Sequence, residues 1–307
     1  MSEHVDEIGF CVPLGAEPGD WLALLKPRVV SLVVFTGAIG LLIAPAHINP
    51  MIACIVIFCI ALGAGAAGAI NMWYDRDIDA LMRRTTTRPI PAGKIEPAGA
   101  LGLGVVLAII SVLVLAMATN LCAALVLALS IFYYAVIYTI WLKRRTPQNI
   151  VIGGGAGAFP PVIGWVAVTG HIGLLPVLLF LIVFFWTPPH FWSLALYASA
   201  DYEKAGVPML PVVKGARHTR WNVFIYTLIL FPLALSPWLL GFTGWIYGLT
   251  ALLLGLIFIY YGWGVLRDQQ DAQGVSLDQD KVARASFKFS IFYLFLLFSA
   301  CAVDRLS

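Results

Sequence analysis

Charge is what this 307-residue chain has least of: Asp, Glu, Lys and Arg make up 11% of it, against 61% hydrophobic residues. A soluble domain is about a quarter charged. So little polar surface cannot coat a globule in water, so the bilayer is the solvent, and the length divides into spans of about 20 residues. The net charge of +3 gives no reason to expect a nucleic-acid partner. Cysteine is scarce as well, with Cys11, Cys54, Cys59, Cys122 and Cys301 as the whole set. No pair has metal-ligand spacing and four lie in or beside apolar runs, so they read as packing residues without a disulfide framework. The first twenty residues hold Glu3, Asp6, Glu7, Glu17 and Asp20 but no Lys or Arg. A secretory signal needs a basic start and a transit peptide needs Arg. The expectation is a short cytosolic tail over residues 1–25 and one transmembrane domain over 26–307.

What is abundant is the long apolar run. Such runs place nine helices, at Pro27–His47, Pro50–Trp73, Pro97–Thr119, Leu121–Trp141, Asn149–Thr169, Gly173–Tyr197, Asn222–Gly241, Gly244–Leu266 and Phe287–Val303. Tight and long connections alternate between them. Of the 19 Lys and Arg residues all but Arg305 then fall on one face. The positive-inside rule makes that face cytosolic and puts the C-terminus outside. All but Asp304 of the 16 acids share it, although orientation needs only positive charge. Carboxylates gathered at helix ends point to chemistry there. Two runs of small residues, Gly63–Gly68 and Gly153–Gly157 with Pro160-Pro161 after it, suit close helix packing or room for a bulky ligand.

The strongest signal is Asn71-Met-Trp-Tyr-Asp75-Arg-Asp-Ile-Asp79, where the second helix leaves the membrane. The spacing of four puts Asn71, Asp75 and Asp79 on one helical face. Stacked carboxylates repel, so a cation is expected between them. Hard oxygen donors suit Mg²⁺, which takes one or two carboxylates and leaves its other positions to water or phosphate. Asp77, off that face, reads as a solvated acid. The loop continues with Arg83, Arg84, Arg88 and Lys94, and Arg forks match phosphate oxygens. Carboxylates for a cation followed by phosphate-pairing cations make a diphosphate site; positive-inside charge is the plainer account of the same Arg residues. A second acidic end begins at Asp201-Tyr-Glu-Lys204. If the sixth helix continues, His190, Leu194, Tyr197 and Asp201 form one stripe. A titratable His at membrane depth is a functional candidate, unless it merely bonds a carbonyl freed by Pro188-Pro189. His4, His47, His171 and His218 lie in the tail, in loops or at helix ends and carry no such signal.

At these residues the chain resembles the UbiA superfamily of intramembrane prenyltransferases, whose Asn-x-x-x-Asp-x-x-x-Asp signature is matched by Asn71, Asp75 and Asp79. Tyr74–Asp79, Thr86–Pro89, Gly153–Pro161, Thr187–Trp192 and Asp201–Met209 resemble its haem-modifying branch. One departure stands out. Many members carry a second Asp-x-x-x-Asp, but four residues after Asp201 stands Ala205. The resemblance implies an all-α integral membrane fold of about nine helices around a central apolar cavity with a cytosolic polar cap. It implies transfer of a farnesyl group from farnesyl diphosphate to haem b, with Mg²⁺ on Asn71, Asp75, Asp79 and Asp201, which are also the expected catalytic residues. Arg83, Arg84, Arg88, Lys94 and Lys204 are the expected diphosphate contacts, and His190, Trp192 and Tyr197 the expected acceptor contacts. The implied location is a bacterial inner membrane, with haem A synthase or terminal-oxidase assembly downstream. A prenyltransferase acting on an aromatic quinone precursor is the alternative, and a multi-helix transporter the alternative of another class.

Overall fold

Proline and a capping side chain open several of the apolar runs. The computed structural model describes residues 15–271 and 274–307. Glu3, Asp6, Glu7, His4 and Cys11 of the expected tail lie outside the described residues. The helices are α1 (Pro18–Leu24), α2 (Pro27–Leu42), α3 (Pro50–Tyr74), α4 (Arg76–Leu81), α5 (Pro97–Ala118), α6 (Leu121–Phe132), α7 (Asn149–Ala158), α8 (Pro160–Thr169), α9 (Leu174–Tyr197), α10 (Ser199–Lys204), α11 (Leu210–Lys214), α12 (Ala216–Leu239), α13 (Trp245–Leu266) and α14 (Lys281–Leu306). A π-helical segment, Tyr133–Leu142, continues α6. Pro27, Pro50 and Pro97 each sit in a first turn, where the missing N–H leaves no hydrogen bond unmade. Asn49 and Asn120 cap α3 and α6 by accepting from Met51 N at 2.8 Å and Ala123 N at 2.9 Å.

Eight helical stretches among the described residues are long and apolar enough to cross a membrane, and the pair α1–α2, bent by 54°, brings the number to nine if it is counted as one span. This is a multi-pass membrane protein, and each of the nine expected runs is present. Their edges differ from the hydropathy reading. The first stops at Leu42 rather than His47, because Pro45 disfavours helix at Ala44. The seventh starts at Ala216 rather than Asn222, because Arg220 is neutralised inside it. Arg220 Nη2 donates to Asp268 at 2.6 Å and to Asp280 at 2.7 Å. The fifth span breaks at Phe159 into α7 and α8, since Pro160 and Pro161 supply no N–H to the preceding turn.

Small residues bring backbones together. A Cβ on Gly164 would lie 2.1 Å from the Gly37 carbonyl oxygen, and one on Gly40 would lie 2.1 Å from that of Pro161, so α2 and α8 cross with their main chains touching. In the Gly153–Gly157 run, Gly153 receives the Tyr138 ring, Gly154 receives Thr187 and Gly155 receives the Tyr133 ring. Close packing therefore accounts for these three glycines. α14 packs on both α13 and α2, which returns the last span to the first and closes the bundle. A large apolar core fills the middle. A second core at the charged end joins Ile78 of α4 and Met82 just beyond it to Trp192 and Leu196 of α9 and to Tyr202 and Ala205. The acidic ends of α3 and α9 thus converge on one patch.

Gly164→Ala is expected to cost about 1–3 kcal/mol, because backbone rather than a flexible side chain must give way. Gly157, with nothing within 4 Å of its Cβ position, is expected to accept Ala without loss. Thermal unfolding in detergent distinguishes them; equal melting temperatures would remove the backbone contact as a stabilising feature.

Candidate active site

The hydrogen bonding of α3 continues across the break at Asp75. Asp75 N donates to Asn71 O at 2.9 Å and Asp79 N to Asp75 O at 2.8 Å. Asn71, Asp75 and Asp79 therefore keep the four-residue register and face one way. All three are buried, Asp75 completely. Ionised carboxylates in such a place cost several kcal/mol each unless positive charge meets them.

Positive charge meets them from three separate segments. Lys143 Nζ bonds Asp75 Oδ2, Arg88 Nη1 bonds Asp79 Oδ2 at 2.5 Å, and Lys26 Nζ bonds Asn71 Oδ1. Asn71 Nδ2 in turn donates to Asp75 Oδ2 at 2.7 Å and to Thr139 Oγ1 at 3.1 Å. The π-helical segment supplies this last partner and ends beside Lys143. A π turn adds a residue per turn and re-aims the side chains after it, and such turns recur at functional sites. Lys26 reaches Asn71 from the bend between α1 and α2, with φ 52° and ψ 55°. That left-handed conformation costs a lysine about 1–2 kcal/mol. The lysine stem runs along Gly68, where a Cβ would lie 3.4 Å from Lys26 Cδ, an ordinary contact. Backbone strain is spent on placing one ammonium group.

The second acidic end reaches the same patch through Tyr202. Asp201 is half-buried in α10, and no hydrogen bond engages its carboxylate. The neighbouring Tyr202 is buried, with Arg84 within hydrogen-bonding reach and Arg88 and Asp201 close enough to act on its charge. Burial pushes the Tyr202 phenol up, and the two guanidinium groups pull the other way. Arg84 and Arg88 thus stand between the two acidic ends. Tyr134 and Tyr138 stand beside this face, half-buried, with ring centres 5.5 Å apart and Lys26 Nζ 6.0 Å from the Tyr134 ring centre.

The other expected contacts are spread out. Arg83 and Lys204 lie exposed on the rim. Lys94 pairs with Asp20 at 2.8 Å and ties its loop to α1 instead of joining the acidic face. Asp77 is exposed; the Arg144 guanidinium holds it through bonds of 2.6 and 2.7 Å and keeps its carboxyl below the usual range. His190 and Tyr197 are brought together by Phe287 of α14, which contacts both rings. Trp192 points elsewhere, into the second core against Tyr226. The sequence reading missed Lys26, Thr139, Lys143 and Arg144 as site residues. Lys26 and the Lys143–Arg145 run were visible only as orientation charges, and nothing in the periodicity announces a π turn.

Among the described residues no three His, Cys, Asp or Glu side chains gather as a metal site. The acidic face nevertheless fits a divalent cation. Asp75 Oδ1 is sealed from solvent without a hydrogen-bond partner, with the Arg144 guanidinium 3.6 Å away, and the donors this face offers are hard oxygens. Two carboxylates and an amide are what Mg²⁺ uses when phosphate completes its shell.

The profile of the UbiA prenyltransferase family matches residues 33–298. A curated relative from Acidiphilium cryptum, named protoheme IX farnesyltransferase, is 67% identical over 95% of this chain and 92% of its own length. Another with that name, from Granulibacter bethesdensis, is 64% identical over 96% of this chain and 93% of its own. The fold is similar to the structure of a UbiA homologue from Archaeoglobus fulgidus bound to DMAPP and Mg²⁺, with a TM-score of 0.66 at 18% identity, over 92% of this chain and 99% of that one. An intramembrane bundle with a buried Asn–Asp–Asp face and a profile match over most of its length places this chain in the UbiA prenyltransferase family, and it is a prenyltransferase.

Proposed function

We propose that this enzyme transfers the farnesyl group of farnesyl diphosphate to a vinyl group of haem b, giving haem O and diphosphate. The observation that carries the reading is the buried Asp75–Asp79 face, matched by Lys26, Arg88 and Lys143 at the charged end of an apolar bundle. The names of the relatives supply the acceptor and donor.

Asn71, Asp75 and Asp79 would hold Mg²⁺ with Asp201 facing them, and the ion supplies positive charge opposite the leaving diphosphate. Arg88 and Lys143 now bond the two carboxylates. With diphosphate present they turn to its oxygens, and Arg84 joins from the Tyr202 side. Charge growing on the leaving group as the allylic C–O bond breaks meets donors already in place. The farnesyl carbon then bonds to a haem vinyl group. Water adds to the resulting cation and releases a proton, leaving a hydroxyethylfarnesyl side chain. Tyr134, Tyr138 and the apolar core around them keep water from the farnesyl cation until that bond forms.

Position 205 favours haem over a quinone precursor as acceptor. A second Asp pair would need a carboxylate there, and Ala205 is buried in the core beside Met209 and Leu210. The charged end belongs on the cytosolic side of a bacterial inner membrane, with haem A synthase or oxidase assembly taking the product.

Asp75→Ala and Asp79→Ala are each expected to lower haem O formation by more than about 100-fold while the protein still inserts. Pigment extraction from cells expressing each variant measures this, and near-normal haem O would count against the acidic face. Asp77→Asn is expected to stay within about fivefold of wild type, since an exposed ion pair is worth at most ~1 kcal/mol. Chelating divalent ions is expected to stop transfer by the purified enzyme, and added Mg²⁺ to restore it. Unchanged turnover in chelator would remove the metal.

A further inference from the structure

His190 has a role that its sequence position leaves open and its hydrogen bonding narrows. It lies in α9 near the charged end, next to Pro188-Pro189, and is more than nine-tenths buried. The imidazole is clamped between two rings. Trp186 stacks on one side at 4.4 Å and 18°, and Phe287 on the other at 4.5 Å and 24°. Trp186 is itself pinned, its Nε1–H donating to Ser290 O at 2.8 Å. The plane of the His190 ring is therefore fixed from both sides.

A second contact bears on its tautomer. Ser290 Oγ lies 2.7 Å from the Phe287 carbonyl oxygen and 2.6 Å from His190 Nδ1. A hydroxyl that donates to that carbonyl accepts from the ring, and this arrangement puts the ring proton on Nδ1 and the lone pair on Nε2. Nε2 has no hydrogen-bond partner and is not sealed by packing. Pro188 and Pro189 leave the carbonyls of Phe184 and Phe185 without their helical N–H, and neither engages the imidazole, whose one hydrogen bond is to Ser290.

A neutral imidazole with Nδ1–H held by an oxygen, Nε2 free and its plane locked is how a protein presents histidine to a metal. Among the described residues no group of three His, Cys, Asp or Glu side chains forms a metal site here, so a metal held by this ring brings its other ligands with it. A metalloporphyrin does so. The stripe continues upward to a cation suited to porphyrin carboxylates. From Ser290 to Arg284 is ~9 Å along α14, and the Arg284 guanidinium lies 4.2 Å from the centre of the Tyr197 ring.

We propose that His190 Nε2 is the axial ligand to the iron of the haem substrate, with Ser290 as the positioning residue that sets its tautomer. This rests on the haem reading above and deepens it. A coordinate bond at the iron leaves the porphyrin one fixed plane and one freedom, rotation about the Fe–N axis. Arg284 limits that rotation by holding the carboxylate edge at the rim.

The test is an optical titration of the purified protein with haem and, separately, with iron-free protoporphyrin IX. Wild type is expected to give the spectrum of an imidazole-ligated haem. His190→Gly is expected to lose that signature, regain it with added imidazole, and bind iron-free porphyrin as wild type does, which also shows that it folds. Ser290→Ala is expected to weaken haem binding about 10- to 100-fold and to leave iron-free porphyrin unaffected. A His190→Gly spectrum and haem affinity equal to wild type would overturn the ligand assignment alone. Failure of wild type to bind either porphyrin would overturn the haem reading itself, and this assignment with it.

Discussion

Two carboxylates buried where α3 meets the charged end set the terms for the rest of this molecule. Burying two carboxylates is costly unless positive charge stands beside them, and the chain draws that charge from three distant places in its sequence. Lys26 comes from the bend before the first span, Arg88 from the loop after the second and Lys143 from the end of the fourth. Two of them need a local concession. Lys26 is held in a left-handed conformation, and the fourth span gives up regular α-helix before Lys143. In a fold built from plain apolar helices, irregularity gathers where charge must be aimed, as expected of functional sites.

The remainder of the bundle serves as a rigid surround. α2 and α8 touch main chain to main chain through Gly37, Gly40 and Gly164. The core uniting Ile78, Met82, Trp192, Leu196 and Tyr202 fixes the end of α3 against the end of α9. Arg84, beside Tyr202, and Arg88, on Asp79, occupy the ground between them. An anionic group entering there meets cations already placed and need not gather them. His190, Phe287 and Tyr197 form a separate aromatic stripe reaching the same end along α9 and α14. In the proposed reaction one region takes the diphosphate and the other the porphyrin.

The span count was legible because a bilayer imposes one length on every apolar run, and proline and asparagine mark several of the starts. The register of Asn71, Asp75 and Asp79 was legible because i to i+4 geometry holds even across the break at Asp75. Helix edges were not. Hydropathy takes Arg220 for a loop residue, whereas two aspartates make it a buried helical one. Lys94 shows what sequence proximity leaves out: it follows Arg88 by six residues, yet the acid it pairs with is Asp20 of α1. Lys26 and Lys143 were hidden for a different reason. Their link to the acidic face is made only by tertiary packing and a π turn, and neither leaves a periodic trace.

The central claim is that the acidic face grips a divalent ion which in turn touches the substrate's diphosphate. Paramagnetic resonance of Mn²⁺ in the purified protein tests this most directly, using an unreactive thio-analogue of farnesyl diphosphate. A bound Mn²⁺ signal with hyperfine coupling to phosphorus, lost in Asp75→Asn and Asp79→Asn, is the predicted result. Mn²⁺ bound equally by those variants, or bound with no coupling to phosphorus, would contradict it.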